Sequence, residues 1–476
     1  MQLNDARSER DDVAVDVLRD DLYRRFSGAG LKRQRTRRLF QGLGWTLFVQ
    51  TLSGVRRALD LLVAVVLFRF LSPVIVLTFL VLKLKGVPTK RTPRVGRFCE
   101  VFEEFSFALP DSRLGRVLTR LKVHRLPVLL NIARGHMSFI GPRAVNPGEL
   151  SPRERAARRR YDVRPGLIGL WWIRQRGNVN FDSEAEIDSE YVESRSIRGD
   201  IGLGFRALPA MFYGKSLVAA ADSINILGID VNNLTMTESI EDIMGRLDGP
   251  NQAQVCFVNA DCANIAYRDA EYTRVLTRAP LTLADGIGMK LAGKLLATEI
   301  KQNVNGTDLF PRLCDALQGT NKGIFLLGGR PGVAEKVSGW IRETYPDVTL
   351  SGQHHGYFSP EEEENVVNQI RDSGAAMLLV AFGAPRQDTW INAHLQDTGV
   401  KVAMGVGGLF DFYSGQISRA PQWLREMGFE WLYRFYQEPR RMWRRYFIGN
   451  AVFLTRVLQE RIKKPRPGTE AARAGV

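Results

Sequence analysis

The chain has 476 residues, of which 45% are hydrophobic, and a formal net charge of +15. This length exceeds that of one ordinary domain, so we expect two domains with sizeable apolar cores. The four cysteines have no paired metal-ligand spacing, which excludes a disulfide-stapled scaffold and favours a reducing compartment.

Basic residues are concentrated in two parts of the chain. Residues 32–38 read KRQRTRR, and a second basic region covers residues 434–464. In the second region the basic residues alternate with aromatic ones, among them Trp431, Tyr436 and Trp443. Either run by itself could be a solvated face, but basic and aromatic residues mixed at helical spacing favour a membrane interface. Because no nucleic-acid-binding motif is present, we expect membrane lipids and no nucleic acid as partners.

An apolar stretch of membrane length lies at residues 61–82, after residues 1–45, which we predict to be a mobile basic tail. Arg69 and the pair Ser72-Pro73 interrupt this stretch. Proline removes a backbone donor, and a central arginine is costly in a straight span. We therefore predict a broken, re-entrant helix that returns to the same membrane face; a kinked helix that spans the bilayer is the alternative.

The second half alternates short apolar runs with amphipathic helices such as Pro331–Thr344 and Pro360–Ser373. Alternation at this spacing predicts a Rossmann-like α/β domain with a mainly parallel sheet. The predicted strands are Val255–Val258, Leu281–Leu283, Gly323–Leu327, Met377–Phe382 and Lys401–Val406. We thus predict a mostly helical membrane-associated domain at 46–215, the α/β domain with a basic helical appendage at 223–450, and a basic tail at 451–476.

Polar or glycine-rich residues follow five of these strands, where α/β sheets bind ligands. Glycine there lets backbone amides approach a phosphate, although each glycine alone is as well explained by a plain turn. The most informative residue is Asp285, which we predict to be a general base in the crevice; the alternative is a helix N-cap. The residues considered at these ends are Asn259, Gly286, Gly328, Gly329, Gln387, Gly407 and Gly408.

A nearly continuous set of motifs over residues 223–450 resembles the WecG/TagA/CpsF family of glycosyltransferases. It runs NADCANI, LADGIGM, NGTDLF, FLLGGRPGVAEK, GQHHGYFSPEEE, FGAPRQ, GVGGLFDFYSG and RAPQWLREMGFEWLYRFYQEPRRMWRRY. The resemblance implies inverting transfer of a sugar from a UDP-sugar to a polyprenyl-diphosphate-linked sugar, without a metal or other cofactor. It also implies that Asp285 is the base, that Gln387 lines the active site and that Asn259 lies in the nucleotide pocket.

The same resemblance assigns Arg434, Arg441 and Arg444 to a C-terminal appendage that closes over the donor. Their spacing of i, i+7 and i+10 predicts one helical face, and arginines are suited to compensate the charge of a departing diphosphate. Contact with membrane head groups is their alternative role. The sequence departs from the family at Asn303, where arginine is common, and at Phe257, where some members carry threonine. Both departures concern sugar identity and rate.

Residues 55–215 resemble the polyprenyl-phosphate sugar-phosphate transferases that initiate bacterial surface polysaccharides. The resemblance is carried by Arg57 and Asp60, the Leu71-Ser72-Pro73 break, RVG at 94–96, GHMSFIGPR at 135–143, VRPGLIGLW at 163–171, Asp188 with Tyr191, and residues 196–200. The catalytic Asp-Glu pair of that family is replaced here by His124-Arg125. The resemblance therefore implies an anchor that has lost its magnesium-dependent catalysis, with Arg143 and Arg164 left to bind a lipid phosphate.

These observations predict a membrane-associated glycosyltransferase of exopolysaccharide or other surface-polysaccharide biosynthesis, at the cytoplasmic face of the inner membrane. Other polysaccharide-assembly enzymes are possible partners. Two alternatives stay open. One is a bifunctional enzyme, with magnesium in its first domain and His124 as the phosphorus nucleophile. The other is a non-enzymatic scaffold of an assembly complex, which the departures at Asn303 and Phe257 would favour.

Overall fold

A computed structural model describes residues 28–84, 86, 89–109, 115, 118, 123–149, 158–177, 183–212 and 221–463. Within these ranges, the side chains of residues 28–53, 89, 158, 211–212 and 441 lie outside the description. The chain divides into two compact units. The first unit contains the described residues up to Ile168 together with Ser189–Asp200, and the second contains Gly169–Asp188 and the described residues from Ile201 onward.

The first unit is built on one long helix. Its elements are α1 (Gly28–Leu84), β1 (Thr89–Val95), β2 (Val101–Phe107), α2 (Val128–Arg134), β3 (Ser138–Ile140) and β4 (Gly166–Ile168). Strands β1 and β2 form an antiparallel hairpin, and β3 pairs with β4 in parallel. A small core joins α1 to α2 through Ala64, Val128 and Ile132. The prediction of a mostly helical region did not include the β1–β2 hairpin, whose charged strands TKRTPRV and VFEEFSF have little apolar alternation.

Helix α1 continues through Pro73, and no interruption of the helix accompanies the break predicted at Ser72-Pro73. Proline at position 73 leaves the carbonyl of Arg69 without its usual amide partner. The Ser72 hydroxyl donates to that carbonyl at 3.1 Å, which is a known way of tolerating proline inside apolar helices. Within the described residues, one helical segment is long and apolar enough to cross a membrane, namely Gly54–Leu84. Whether it spans or re-enters stays a prediction.

Helix α1 also begins within the segment for which the sequence predicts a mobile tail. Residues 28–45 are helical, while residues 1–27 lie outside the described residues. Two further helices, α4 (Glu184–Ser194) and α5 (Ile197–Phe212), run from one unit into the other, whereas α3 (Leu170–Gly177) lies entirely in the second. The second unit therefore takes in residues that the predicted boundary at 215 assigns to the first domain.

The second unit is a doubly wound α/β structure, as the sequence predicts. Its sheet has the order β10-β9-β11-β12-β7-β8-β6-β5, and every pairing is parallel except that of β5 with β6. The strands are β5 (Ser223–Ile226), β6 (Ile229–Asn232), β7 (Ala253–Val258), β8 (Leu281–Ala284), β9 (Ile324–Gly328), β10 (Leu350–His354), β11 (Met377–Ala381) and β12 (Val402–Gly405).

Helices cover both faces of this sheet, and the central strands are buried along their whole length. The helices that follow the strands are α6 (Met236–Asp248), α7 (Ala260–Ala266), α8 (Ala270–Arg278), α9 (Ile287–Leu295), α10 (Gly306–Leu317), α11 (Val333–Thr344), α12 (Pro360–Asp372) and α13 (Arg386–Thr398). Burial on both faces explains the continuous apolar runs, such as AQVCFV in β7, from which these strands were predicted.

A series of short helices follows β12 and forms the C-terminal appendage. It comprises α14 (Leu409–Tyr413), α15 (Gln422–Glu426), α16 (Glu430–Gln437), α17 (Pro439–Trp443), a π-helix (Arg444–Gly449) and α18 (Asn450–Lys463). Phe453 and Val457 of α18 are fully buried in the core that contains β5 to β8. Residues 451–463, which the sequence assigns to a basic tail, are therefore helical, and their apolar positions pack on the sheet domain.

Candidate active site

The candidate site lies at the carboxyl ends of three neighbouring strands, β12, β7 and β8. Chain order reverses across these strands: β7 leads to β8 on one side, whereas β11 and β12 lie on the other. In doubly wound sheets such a reversal opens a crevice that binds ligands. Asn259 follows β7, Asp285 follows β8, and Gly407 lies two residues beyond β12.

Asn259 and Asp285 are linked directly. The side-chain oxygen of Asn259 caps α7 by accepting from the amides of Asp261 and Cys262, both at 3.0 Å. The Asn259 side chain also hydrogen-bonds to the Asp285 carboxylate. The backbone amide of Asp285 donates to the Val258 carbonyl at 2.8 Å. This pairing fixes the candidate base against the end of β7, so both predicted residues come together in the crevice.

Burial raises the pKa of Asp285 above its usual value. The charges of Arg445 and Arg434, together with the hydrogen bond from Asn259, oppose this shift, whereas the charge of Asp308 adds to it. A carboxylate that is easier to protonate than a solvated one is a better base for a sugar hydroxyl near neutral pH. The alternative N-cap role is not observed: the N-cap of α9 is Gly286, and no side chain caps that helix.

Asn303 supports the loop that carries Asp285. Gly286 has a φ of +88°, which favours glycine, and its amide donates to the Asn303 side-chain oxygen. Asn303 thus holds the turn between β8 and α9 at the residue after the candidate base. The position at which the sequence departs from its relatives has a structural function here, which sequence reasoning did not foresee.

Gln387 is buried and its amide oxygen is already occupied. That oxygen accepts from the amides of Gly383 at 3.1 Å and Gly407 at 2.9 Å. Gln387 therefore ties the loop after β11 to the loop after β12. This makes it a positioning residue for the two loops; a direct part in catalysis stays a prediction.

A buried polar cluster lies next to Gln387. Asp388, 1% exposed, accepts from the Tyr272 hydroxyl at 2.8 Å, and its carboxylate also bonds to the side chains of Gln387 and Cys256. Burial raises the pKa of Asp388 to about 7. Sequence reasoning found no separate signal for Asp388, because FGAPRQD looks like an exposed loop. Only the fold shows that α13 begins inside the core.

The predicted glycines fall into two groups. Gly328 and Gly329 lie at the end of β9, where an added Cβ would meet the Ala381 backbone and the Val333 side chain at 2.7 Å. Close packing therefore explains both, and their contact with substrate stays a prediction. Gly408 is different, because an added Cβ would lie 2.9 Å from the Arg434 guanidinium. Gly407 and Gly408 belong to the crevice around Asp285.

The appendage arginines do not share one helical face, contrary to the prediction. Helix α16, which contains Arg434, ends at Gln437, and the next residue, Glu438, has a non-helical backbone. Residues 444–449 form a π-helix. The α-helical spacing of i, i+7 and i+10 is thereby lost. Arg434 stacks on Phe412 at 5.0 Å, Arg444 is exposed, and the Arg441 side chain lies outside the described residues.

Arg445 takes the place that the sequence assigned to Arg444. Its guanidinium forms an ion pair with Asp261 at 3.3 Å and is the largest charge acting on Asp285. The same charges act on Tyr446, and burial raises the pKa of its hydroxyl. Sequence reasoning missed Arg445 because it assumed an uninterrupted α-helix.

A second group of charges connects the appendage to the motif NGTDLF. Asp308 is buried and pairs with Arg419 at 2.5 Å and Arg425 at 3.5 Å. Arg419 also reaches Glu430 at 3.5 Å, and the Asn305 side chain both caps α10 and donates to Asp308. These contacts hold the segment before α16 against the sheet domain.

In the first unit, the turn His124-Arg125 lacks the chemistry of a magnesium site. Arg125 lies 3.6 Å from Glu104, which also pairs with Arg94 at 2.6 Å. A guanidinium bound to the nearest carboxylate does not fit a magnesium ion, which requires oxygen ligands. Among the described residues, no group of three or more His, Cys, Asp or Glu side chains could hold a metal. The expectation of metal-free sugar transfer in the second unit stays a prediction.

The two predicted phosphate-binding arginines are engaged within the first unit. Arg143 pairs with Glu149 at 3.0 Å, and Arg164 donates to the Gly135 carbonyl at 2.8 Å. Arg57 closes the same end of α2 by donating to the carbonyls of Ile132 and Ala133. A phosphate role for Arg143 and Arg164 remains a prediction.

Comparison with known proteins decides the family. Residues 224–467 match the glycosyl transferase WecG/TagA/CpsF family, and residues 111–214 match the bacterial sugar transferase family. The chain belongs to the WecG/TagA/CpsF family. As a member of this family it carries, before the shared α/β domain, a region like that of the bacterial sugar transferases.

Two curated relatives of this WecG/TagA/CpsF chain are both N-acetylglucosaminyldiphosphoundecaprenol N-acetyl-beta-D-mannosaminyltransferases. The Bacillus subtilis (strain 168) protein is 32% identical over 218 residues, which cover 45% of this chain and 84% of the relative. The Staphylococcus aureus (strain MRSA252) protein is 28% identical over 245 residues, which cover 51% of this chain and 96% of the relative.

Proposed function

We propose that this protein is a membrane-associated glycosyltransferase that moves a sugar from a UDP-sugar to a polyprenyl-diphosphate-linked sugar, with inversion at the anomeric carbon. The observation that carries the proposal is the placement of Asp285. It is a partly buried carboxylate at the switch point of a parallel sheet, held by Asn259 and flanked by Arg434 and Arg445.

The two sides of this crevice have complementary tasks. On one side, Asp285 takes the proton of the acceptor hydroxyl as the hydroxyl oxygen attacks the anomeric carbon. On the other side, the bond from that carbon to UDP breaks, and the leaving diphosphate gains negative charge. Arg434 and Arg445 supply positive charge without a metal ion. The glycines after β12 leave room for a ligand beside Arg434.

The acceptor class rests on the relatives. Both relatives are named for transfer to N-acetylglucosaminyldiphosphoundecaprenol, a lipid-linked sugar, and this chain has an apolar helix of membrane length. We propose the same acceptor class for this chain, at the cytoplasmic face of the inner membrane, in exopolysaccharide or other surface-polysaccharide synthesis. The departure at Asn303 leaves the donor sugar to be determined.

The first unit is proposed to anchor the enzyme and present the lipid-linked acceptor. The ion pair between Arg125 and Glu104 weighs against the bifunctional alternative, because it places a cation where a magnesium-binding carboxylate would be needed. The scaffold alternative loses its support at Asn303, since that residue supports the loop of Asp285.

The deciding experiment is a donor screen with the purified full-length protein in detergent or nanodiscs. Each of several UDP-sugars is combined with an N-acetylglucosaminyl-diphospho-polyprenol acceptor, and the product mass is measured. We expect one donor to add one hexose, N-acetylhexosamine or uronic acid increment and to release UDP. If the acceptor gains no mass with any donor, the proposal fails. A reaction without acceptor controls for simple UDP-sugar hydrolysis.

A further inference from the structure

Glu426, in the appendage, is buried between two arginines that come from far earlier in the chain. Its carboxylate bonds to Arg174 of α3 at 2.9 Å and to Arg206 of α5 at 2.6 Å. Glu426 is 1% exposed and Arg174 is 4% exposed. All three residues belong to the second compact unit, although both arginines lie in the region that matches the bacterial sugar transferases.

The backbone of α3 is closely packed at the same place. A Cβ at Gly177, the last residue of α3, would lie 2.3 Å from the Glu426 carbonyl oxygen, so only glycine fits. The preceding residue, Arg176, accepts a hydrogen bond from the Lys290 side chain of α9 through its carbonyl at 2.8 Å. Arg176 also donates to the Ala210 carbonyl of α5 at 3.3 Å. Helix α3 therefore touches the appendage, the sheet domain and α5 together.

From Glu426 the contacts continue toward the crevice. The neighbouring residue Arg425 pairs with Asp308, and Asp308 also holds Arg419, which reaches Glu430 at the start of α16. Helix α16 carries Arg434, one of the two arginines whose charge acts on Asp285. These charge pairs, linked by the backbone between Arg425 and Glu426 and by helix α16, thus connect α3 and α5 to Arg434.

We propose that Arg174 and Arg206 are positioning residues for glycosyl transfer, because they hold Glu426 and thereby fix the appendage that carries Arg434 and Arg445. On this view, part of the sugar-transferase-like region is a structural component of the glycosyltransferase. A buried charge pair of this kind favours one geometry, since a displaced Glu426 would lose both of its arginine partners. The inference rests on the proposed function for its kinetic consequence only.

The test compares Arg174→Met and Arg206→Met with Arg246→Met in the full-length protein. Arg246 is a matched control because its ion pair with Asp242, at 2.8 Å, lies in α6 and has no connection to the appendage. We expect kcat/KM for sugar transfer to fall about 100-fold in Arg174→Met, as for a displacement of about 1 Å at a reacting group. The KM for the UDP-sugar should rise, whereas a mere loss of folded enzyme would lower kcat and leave KM unchanged. Arg174→Lys should restore part of the activity.

Hydrogen–deuterium exchange gives a second readout that needs no activity. In Arg174→Met and Arg206→Met, peptides from residues 419–446 should exchange faster, while peptides from β7, β9 and β11 should keep wild-type protection. If Arg174→Met loses protection in the sheet as well, the inference is tested with Arg206→Met and the nearly isosteric Glu426→Gln instead. The inference is overturned if these variants match Arg246→Met in KM and exchange, or if they unfold the sheet together with the appendage. A wild-type protein without transfer activity would refute the proposed function, and the exchange experiment would still decide this inference.

Discussion

By resemblance, a catalytic carboxylate is expected at Asp285 in one unit and at Arg125 in the other, and the surroundings of these two residues differ in charge. Around Asp285, the charges of Arg445 and Arg434 and the side chain of Asn259 favour the carboxylate anion, while the charge of Asp308 opposes it. At the turn that contains Arg125, the guanidinium is itself the ion-pair partner of Glu104. Positive charge beside an anion can stabilise a departing diphosphate, whereas a cation in place of a metal ligand excludes the ion. The comparison supports the proposal that the chemistry lies in the second unit.

The strongest way to break this comparison is to remove the carboxylate of the second unit. Asp285→Asn should lower kcat for sugar transfer by about 10²–10⁴-fold, because the acceptor loses its proton acceptor. Donor affinity should change little, since the proposed mechanism places the diphosphate on the other side of the crevice, beside Arg434 and Arg445. Release of UDP in the presence of acceptor is the measurement, and Asp397→Asn, on the exposed side of α13, is the control. Transfer at the wild-type rate in Asp285→Asn would move the base elsewhere.

Substituting two neighbouring arginines, Arg445 and Arg444, tests the electrostatic part of the comparison between the two units. Arg445→Met should lower kcat/KM by about 100-fold, because the leaving diphosphate loses one of the two positive charges proposed to stabilise it. Arg444→Met should have a much smaller effect on soluble acceptor analogues, since Arg444 is exposed. Initial rates at several UDP-sugar concentrations distinguish the two. Equal losses in both variants would contradict the π-helical register of residues 444–449.

The buried Asp388 offers a test through stability and pH. Its pKa is raised from 3.8 to about 7 in the folded protein, so the native state binds a proton more tightly than the unfolded chain. The resulting stabilisation is complete below about pH 4 and is lost as the pH rises to about 7. We therefore expect the free energy of unfolding of the wild type to fall relative to that of Asp388→Asn over this range, by at most about 4 kcal/mol.

Urea denaturation followed by tryptophan fluorescence at pH 5 and pH 8 measures this difference. Asp397→Asn again serves as the control, because an exposed carboxylate should show no comparable pH dependence. A difference between wild type and Asp388→Asn that stays constant from pH 5 to pH 8 would mean that Asp388 titrates at its ordinary pKa.

The smallest effects are expected in the first unit. His124→Ala and Arg125→Met should change sugar transfer by less than about twofold, because neither residue belongs to the unit that contains Asp285. The wild type should release no UMP when UDP-sugar and polyprenyl phosphate are supplied with magnesium. UMP release that disappears in His124→Ala would instead establish the bifunctional alternative.

Sequence reasoning correctly predicted those parts of the structure that depend on short, continuous stretches of sequence. Runs such as AQVCFV and LTLA are buried on both faces, so their hydrophobicity predicted central strands, and Asp285 followed from its position after one of them. Strand β10 was missed because LSGQH lies at the sheet edge and is only half buried. Its polar residues carry no periodic signal.

The remaining site features depend on contacts between distant residues. Gln387 was predicted from its motif, but only the fold shows that its oxygen joins two loops. Arg174 and Glu426 are 252 positions apart, and no local pattern pairs them. The same limitation explains the domain boundary, because α3 and most of α5 are assigned to the second unit by packing rather than by sequence continuity.

The π-helix at residues 444–449 makes this region unusually sensitive to chain length. A π-turn contains one residue more than an α-helical turn, and deleting one residue there would turn the following helix by about 100°. Phe453 and Val457 would then leave the core in which they are fully buried. Natural variation in this segment should therefore consist of substitutions rather than insertions or deletions.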